Sequence, residues 1–197
     1  SIMPTQSSNR IEEDKLLAEW AEVQAAQTDP SRFKPLYDRY YERIFRYLLR
    51  RCEDETTAAD LSSQVFLKAL RRIGQYQYRG LPFSAWLFRI AANELKLFYR
   101  QNKRRRVVSA DLSIYSEFAE ETEDITAQER SEREAELRRV LRNLKPEELN
   151  LVEMRFFEQR PFAEIAAILD VTEATAKMRT YRLLNRLKTQ LSTLNRP

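Results

Sequence analysis

Glycine is nearly absent from this chain, and its scarcity limits the folds that the chain can adopt. Only Gly74 and Gly80 occur among the 197 residues. Sheet-rich folds depend on glycine for tight turns and bulges, whereas a sequence rich in Leu, Ala, Arg and Glu favours helices. Charged residues make up 32% of the chain, enough to give several helices a solvated face. We therefore expect an all-α protein.

The residue types that are missing exclude several kinds of functional site. The chain has no His and a single Cys, Cys52, so it lacks an imidazole base, an intramolecular disulfide and a multi-Cys zinc site. Two glycines cannot supply a P-loop or a dinucleotide-binding fingerprint. We expect no catalysis, no cofactor, no metal and no small-molecule substrate. The sequence also shows no signal-peptide pattern and no long apolar run, so we expect a cytoplasmic protein without a membrane partner.

Charge divides the chain into segments. The formal net charges are −4 for 1–29, +11 for 30–106, −8 for 107–136 and +5 for 137–197. Residues 107–128 contain six acids, no Lys or Arg and no sustained helical period. We interpret them as a flexible acidic linker between two small domains, a first domain over 30–106 and a second domain over 129–197. An N-terminal extension, 1–29, precedes both domains.

Helical periodicity predicts where the helices lie. The extension has one predicted helix, over about 10–28, to which the pattern assigns no role. The predicted helices of the first domain span about 33–51, 57–73 and 83–101. Those of the second domain span about 129–144, 146–157, 161–169 and 173–192. The loop QYQYRGLP, which holds Tyr76, Tyr78 and Arg79, separates the last two helices of the first domain.

The second domain contains a predicted helix-turn-helix. An apolar elbow would be formed by Ile165, Ala166, Leu169 and Val171. Thr172 is placed to cap the second helix. The apolar side of that helix carries Ala176, Thr180, Leu183, Leu184, Leu187 and Leu191, and its polar side carries Thr175, Lys177, Met178, Arg179, Tyr181, Arg182 and Asn185. The polar side favours contact with base edges and phosphates in a major groove, although an ordinary solvated face would show a similar pattern.

A second mixed face is predicted on the helix over 83–101. Its outward residues are Trp86, Arg89, Asn93, Lys96 and Arg100. An aromatic ring among cations and an amide suits unpaired nucleic acid, because rings stack on bases and cations bind phosphates. Trp86 would fit a hydrophobic core equally well. The adjoining tyrosine-rich loop and the basic cluster RQNKRRR that follows the helix favour the nucleic-acid interpretation.

Four segments, taken in order, resemble a known family. They are FKPLYDRYYERIFRYLLRR, AADLSSQVFLKALRRI, FSAWLFRIAANELKLFYR and FAEIAAILDVTEATAKMRTYRLLNRL. They are similar to conserved regions two and four of the extracytoplasmic-function (ECF, group 4) sigma factors, within the sigma-70 family. The resemblance covers about 30–106 and 137–192. It is specific because several motifs agree in order and spacing.

The resemblance implies two binding surfaces on the first domain. Core RNA polymerase would bind, through the clamp helices of its largest subunit, to Asp60, Leu61, Gln64 and Phe66. Ser63 and Ala59 stand where the family usually has Gln and an acid. The loop over 75–82, called the minus-10 loop below, corresponds to the family's loop that captures a flipped base. Promoter binding at the minus-10 element, with melting, would fall to Tyr76, Gln77, Tyr78, Arg79, Trp86, Arg89, Asn93, Lys96 and Arg100.

The resemblance also implies that the second domain reads the minus-35 element and contacts the flap of the second-largest polymerase subunit. The residues implied for minus-35 binding are Arg160, Phe162, Thr175, Lys177, Met178, Arg179, Tyr181 and Arg182. Asp170 replaces the turn glycine common in the family, and Asp tolerates the left-handed conformation better than most residues. An anti-sigma factor is a further candidate partner.

These observations predict a non-catalytic sigma factor that directs core RNA polymerase to promoters. One alternative is a helix-turn-helix regulator that acts without polymerase, which would leave the first domain's ordered motifs unused. A helical adaptor that binds only protein is another alternative, and it predicts no salt-dependent affinity for DNA. An enzyme is the weakest alternative, because neighbouring carboxylates such as Glu147 and Glu148 point apart on a helix.

Overall fold

The computed structural model describes residues 6–102 and 126–192. Both ranges are helical and contain no strand, which confirms the predicted all-α class. Most of the predicted acidic linker, and residues 103–106 of the basic cluster, lie outside the described residues. No helix in the described part of the chain is both long and apolar enough to cross a membrane.

Residues 6–102 form four α-helices. They are α1 (Gln6–Thr28), α2 (Lys34–Leu49), α3 (Glu55–Arg72) and α4 (Phe83–Asn102). Short 3-10 turns, Pro30–Phe33 and Ile73–Gln75, follow α1 and α3. Helix α3 begins where it does because the Asp54 carboxylate accepts a hydrogen bond from the backbone N–H of Thr57 at 2.7 Å.

Helix α1 belongs to this domain rather than standing apart from it. Val23 and Ala26 of α1 are fully buried, as are Leu36, Ile44 and Leu87 of the helices beneath it. The predicted helix over about 10–28 is therefore present and begins a turn earlier, at Gln6. Burial of its apolar residues holds it against the domain, because a helix within a folded protein gains most of its stability from packing.

Residues 126–192 form four more α-helices. They are α5 (Ala127–Arg142), α6 (Pro146–Val152), α7 (Phe162–Leu169) and α8 (Glu173–Ser192). A single π-helical turn, Glu153–Phe157, continues α6. Helix α5 begins with a capping box, in which Thr126 and Glu129 each accept a hydrogen bond from the other's backbone N–H.

Helices α7 and α8 form the predicted helix-turn-helix. Asp170, at the end of α7, has the left-handed backbone conformation with φ 56°, as expected for a residue that stands in place of a turn glycine. Thr172 caps α8, because its hydroxyl accepts a hydrogen bond from the backbone N–H of Thr175 at 3.1 Å. The elbow is closed by Ile165, which is fully buried. These features fix the orientation of α8 on its domain.

Candidate nucleic-acid interface

The minus-10 loop lies at the start of α4 and is built around one tyrosine ring. The Tyr76 ring packs edge-on against Phe83 and Trp86, with ring centroids 5.2 Å apart in each pair. Burial raises the pKa of Tyr76 to about 12, so its hydroxyl is neutral at physiological pH. Gly80 has φ 76°, a backbone conformation that favours glycine, and it turns the chain back toward α4.

Trp86 is half-buried, which agrees with its packing on the core and leaves the predicted nucleic-acid contact sterically open. Part of its ring packs on the core residue Phe83, with ring centroids 5.4 Å apart. The rest remains exposed beside the minus-10 loop. The cations and amide predicted for this face, Arg89, Asn93, Lys96 and Arg100, are all exposed. The structure therefore brings an aromatic edge, three cations and an amide together along one side of α4.

A cavity of about 240 Å³ lies between the minus-10 loop and α4. It is lined by Gln75, Tyr76, Gln77, Arg79, Leu81, Pro82, Ala85, Trp86, Arg89 and Ala167. Its walls combine aromatic rings with a guanidinium and amide groups, which is the chemistry that a flipped base requires. Ala167 belongs to α7, so the second domain supplies one wall of this cavity.

Helix α1 contacts the minus-10 loop, and the sequence pattern did not predict this contact. The Trp20 ring stacks on the Tyr78 ring, with centroids 5.6 Å apart and planes 16° apart. The Gln27 side chain donates hydrogen bonds to the backbone carbonyls of Ile73, at 2.8 Å, and Tyr76, at 2.9 Å. An aromatic residue in a predicted helix of unassigned role was the available signal, but periodicity alone does not identify its partner.

The polar side of α8, called the recognition face below, is exposed, and the apolar side faces the core, as the helical spacing predicts. Its apolar side is buried at Ala176, Thr180, Leu183 and Leu187 and half-buried at Leu184 and Leu191. The opposite side is exposed at Lys177, Met178, Arg179, Tyr181, Arg182 and Asn185. Met178 and Tyr181, which are 43% and 50% exposed, place apolar area beside the cations of this side. This side can meet both base edges and phosphates.

Two predicted minus-35 residues have structural contacts as well. Thr175 is half-buried and its hydroxyl accepts a hydrogen bond from that of Thr172 at 2.8 Å, so it helps to cap α8. Phe162, also half-buried, lies 6.0 Å from the Tyr181 ring, and the Arg155 guanidinium lies 4.3 Å from the Phe162 centroid. Phe162 and Arg155 therefore support the ring of Tyr181 at the edge of the recognition face.

Arg160, predicted to approach phosphate, is buried between the two domains. Only 3% of it is exposed. Its guanidinium donates a hydrogen bond to the Ser84 hydroxyl at 3.0 Å and lies 4.6 Å from the Phe88 ring centroid, and both of those residues belong to α4. Glu158 and Glu164 lie 3.6 Å and 3.7 Å away. Burial lowers the pKa of Arg160, but a guanidinium stays charged at neutral pH.

Further polar contacts join the two domains. Asn150 of α6 accepts hydrogen bonds from the Tyr47 hydroxyl at 2.7 Å and from Arg51 at 2.8 Å. Arg50 pairs with Glu153 at 2.7 Å, where both side chains are largely buried. The second domain thus packs against α2 and against the start of α4, next to the predicted minus-10 face. In the arrangement described, the domain contact covers Arg160, whereas the other predicted cations of α4 and α8 stay exposed.

The predicted clamp-binding residues divide between surface and core. Asp60 and Gln64 of α3 are exposed, whereas Leu61 and Phe66 are buried. Leu61 and Phe66 therefore shape this surface from beneath. Leu67 is 40% exposed and lies one turn beyond Gln64 on the same side of the helix. The sequence pattern did not single out Leu67, because its exposure depends on which neighbouring helices cover α3.

Comparison with known protein families identifies both domains. The model for sigma-70 region 2 matches residues 36–105. The model for sigma-70 region 4 matches residues 134–187. The two matches together cover most of the chain, and they fall on the parts of the structure that carry the two candidate interfaces.

Individual relatives agree with these matches. The ECF RNA polymerase sigma factor BldN of Streptomyces coelicolor is 33% identical over 84% of this chain and 61% of the relative, so the chain spans less than two thirds of that protein. The RNA polymerase sigma-H factor of Pseudomonas aeruginosa is 28% identical over 87% of this chain and 90% of the relative. CnrH, solved in complex with the cytosolic domain of CnrY, shares the fold, with a TM-score of 0.59, 19% identity and coverage of 90% of this chain and 96% of CnrH.

Proposed function

The chain belongs to the sigma-70 family and is of the ECF type, and from this premise we propose that it is an RNA polymerase sigma factor. It binds core polymerase, contacts the minus-35 and minus-10 elements of a promoter and assists melting, without catalysing a reaction itself. The observation that carries the proposal is that one chain presents two different faces, each of which combines exposed cations with an aromatic side chain. A duplex-reading helix and a single-strand-reading loop are both needed to open DNA at a defined place.

We infer that the second domain reads duplex DNA through α8. Arg182 and Lys177 are exposed on the recognition face, where they can reach bases or phosphates in a major groove. Met178 and Tyr181 add exposed apolar area for base contacts. Phosphate contacts fix the position of such a helix, and base contacts supply its sequence preference.

The first domain is inferred to hold the melted strand. Extracting a base from a duplex costs a few kcal/mol, and stacking on an aromatic ring returns about 1–3 kcal/mol per base. Tyr76 and Trp86 provide such rings in the wall of the cavity at the minus-10 loop, and Tyr78 provides a third ring on the same loop. The exposed cations of α4 would bind the backbone of the same strand.

Core polymerase is the proposed protein partner of the exposed side of α3. Asp60, Gln64 and Leu67 provide a polar and apolar surface there that no described residue covers. Docking on the clamp helices of the largest subunit would place the minus-10 loop at the upstream edge of the melted DNA. A contact of the second domain with the polymerase flap would set the distance between the two promoter elements.

The arrangement described is a closed one, and we infer that it opens when polymerase binds. Arg160 cannot contact DNA while it is buried against Ser84, and Ala167 narrows the cavity at the minus-10 loop. An anti-sigma factor that binds both domains would favour such a closed form. As a promoter-directing protein, the chain would be cytoplasmic and would associate with the nucleoid through polymerase.

Gel filtration with purified core polymerase tests the proposal. We expect the full-length chain to co-elute with core polymerase at physiological salt. An Asp60→Ala, Leu67→Ser double variant should elute separately, whereas Leu17→Ser, an equally exposed change on α1, should still co-elute. A wild-type chain that binds duplex DNA but never co-elutes with core polymerase would instead identify a regulator that acts without polymerase.

A further inference from the structure

We propose that α1 positions the minus-10 loop, and that Trp20 and Gln27 are positioning residues that determine which base the loop accepts. This inference rests on the proposed function of the loop. The helix carries none of the residues predicted to touch DNA, yet it contacts the loop at its start, at its middle and at its end.

The start of the loop is fixed by one amide group. The Gln27 side-chain nitrogen donates hydrogen bonds to the backbone carbonyls of Ile73 and Tyr76. Ile73 is the first residue of the 3-10 turn that leads from α3 into the loop, and Tyr76 directly follows that turn. Gln27 is half-buried, so these hydrogen bonds are shielded from competing water. A carboxylate could not replace the amide, because both partners are acceptors and a carboxylate has no proton to donate.

The end of the loop is fixed by Glu19. Its carboxylate accepts a hydrogen bond at 2.7 Å from the backbone N–H of Phe83, the first residue of α4. The same carboxylate accepts hydrogen bonds from Arg39, at 3.0 Å, and from the Tyr40 hydroxyl. A negative group at a helix N-terminus is stabilised by the unpaired backbone N–H groups there. Glu19 therefore ties the beginning of α4 to α1.

The middle of the loop is fixed by stacking. Trp20 lies nearly parallel to Tyr78, and its ring is also 5.9 Å from the ring of Tyr76. One face of Tyr78 is thus covered by Trp20, so a flipped base can stack only on the other face. The three rings would then form one stack, in which Tyr78 lies between Trp20 and the base. Trp20 then determines the plane in which the base lies, and Gln77 and Arg79 beside it are exposed and able to contact its edge.

Val23 and Ala26 make this arrangement rigid. Both are fully buried between Trp20 and Gln27 on the inner side of α1. A binding loop that is held by packing and by several hydrogen bonds loses little conformational freedom when its ligand binds. Helix α1 therefore supplies preorganisation, and the loop supplies the contacts.

The test is run-off transcription by the reconstituted holoenzyme. A promoter that the wild-type holoenzyme selects from a genomic pool is randomised over its minus-10 element, and the transcripts are sequenced. The variants are Trp20→Ala, Trp20→Phe and Gln27→Met, with Leu17→Ala as an exposed control on the same helix. Gln27→Met keeps the length of the side chain and removes both hydrogen bonds, so it tests the inference even where Trp20→Ala is unstable.

We expect Trp20→Ala and Gln27→Met to reduce discrimination between bases at the captured position roughly tenfold, with core affinity unchanged. Trp20→Phe should retain most of the preference, because a phenyl ring still stacks, and Leu17→Ala should match the wild type. An unchanged base preference in Gln27→Met and Trp20→Ala would overturn the inference and leave the proposed function intact. Failure of the wild-type holoenzyme to select any promoter would overturn both.

Discussion

At the scale of single residues, the most informative position is Asp170, in the turn of the helix-turn-helix. Its left-handed conformation, φ 56°, was predictable because Asp is one of the few residues that tolerate it. Arg160 shows the opposite case. Its motif position indicates phosphate contact, but its burial depends on a partner domain that the local sequence does not specify.

Asp170→Val should destabilise the second domain by about 1–2 kcal/mol, because a β-branched residue is strained in the left-handed region. Asp170→Asn is the matched control. It also removes the carboxylate that lies 3.5 Å from Arg89, but Asn accepts the left-handed conformation. Urea unfolding of both variants checks this prediction. Equal loss of stability in the two would show that the ion pair, and not the backbone, is responsible.

Arg182→Ala should weaken binding to a minus-35 duplex by about 1–3 kcal/mol. Lys188→Ala removes the same charge from an exposed residue on the same side of α8, about one turn beyond the last residue of the recognition face, and should have a much smaller effect. Fluorescence anisotropy at several salt concentrations measures both affinities. Similar losses for the two variants would mean that α8 contributes only general charge attraction.

At the scale of elements, periodicity and capping predicted the helices well. The predicted helices over 83–101 and 173–192 correspond to Phe83–Asn102 and Glu173–Ser192. Their buried sides also matched, because an amphipathic helix on a single core leaves little choice of orientation. The role of α1 could not be predicted, since it arises from contacts with residues about 50 positions away, such as that of Gln27 with Tyr76.

Leu67→Ser on α3 should lower affinity for core polymerase by more than about 1 kcal/mol. The leucine side chain would be buried in the complex, and serine has less apolar area to bury there. The fold should be unaffected, because the side chain already lies at the surface. Leu17→Ser on α1 is the control. Calorimetric titration against core polymerase gives both affinities. Unchanged affinity for Leu67→Ser would place the docking surface elsewhere on the domain.

At the scale of the whole molecule, two domains of the sigma-70 family are packed together through contacts that include Arg160, which the sequence predicted to bind DNA. The contact joins apolar residues of both domains in one core and also buries polar groups that are not all satisfied: within the described residues, the buried Nε atoms of Arg51 and Arg160 have no hydrogen-bond partner. Unsatisfied buried donors reduce the stability of a contact. A contact of this kind can hold the free protein closed and still be broken by a larger partner.

Asn150→Ala should shift the protein toward an open form. The substitution removes the acceptor of both Tyr47 and Arg51, at a cost of about 1–3 kcal/mol to the closed arrangement. We expect a larger radius of gyration by small-angle X-ray scattering and faster proteolysis between the domains. Asn185→Ala, exposed on α8, should leave both measurements unchanged. Equal compactness of the two variants would show that the Asn150 contacts do not maintain the closed form.

The central claim is that this chain directs RNA polymerase to promoters. Run-off transcription with purified core polymerase on a genomic promoter pool tests it most directly. We expect transcripts that appear only when the protein is added and whose templates share two elements at a fixed spacing, one for α8 and one for the minus-10 loop. Identical transcripts with and without the protein would contradict it.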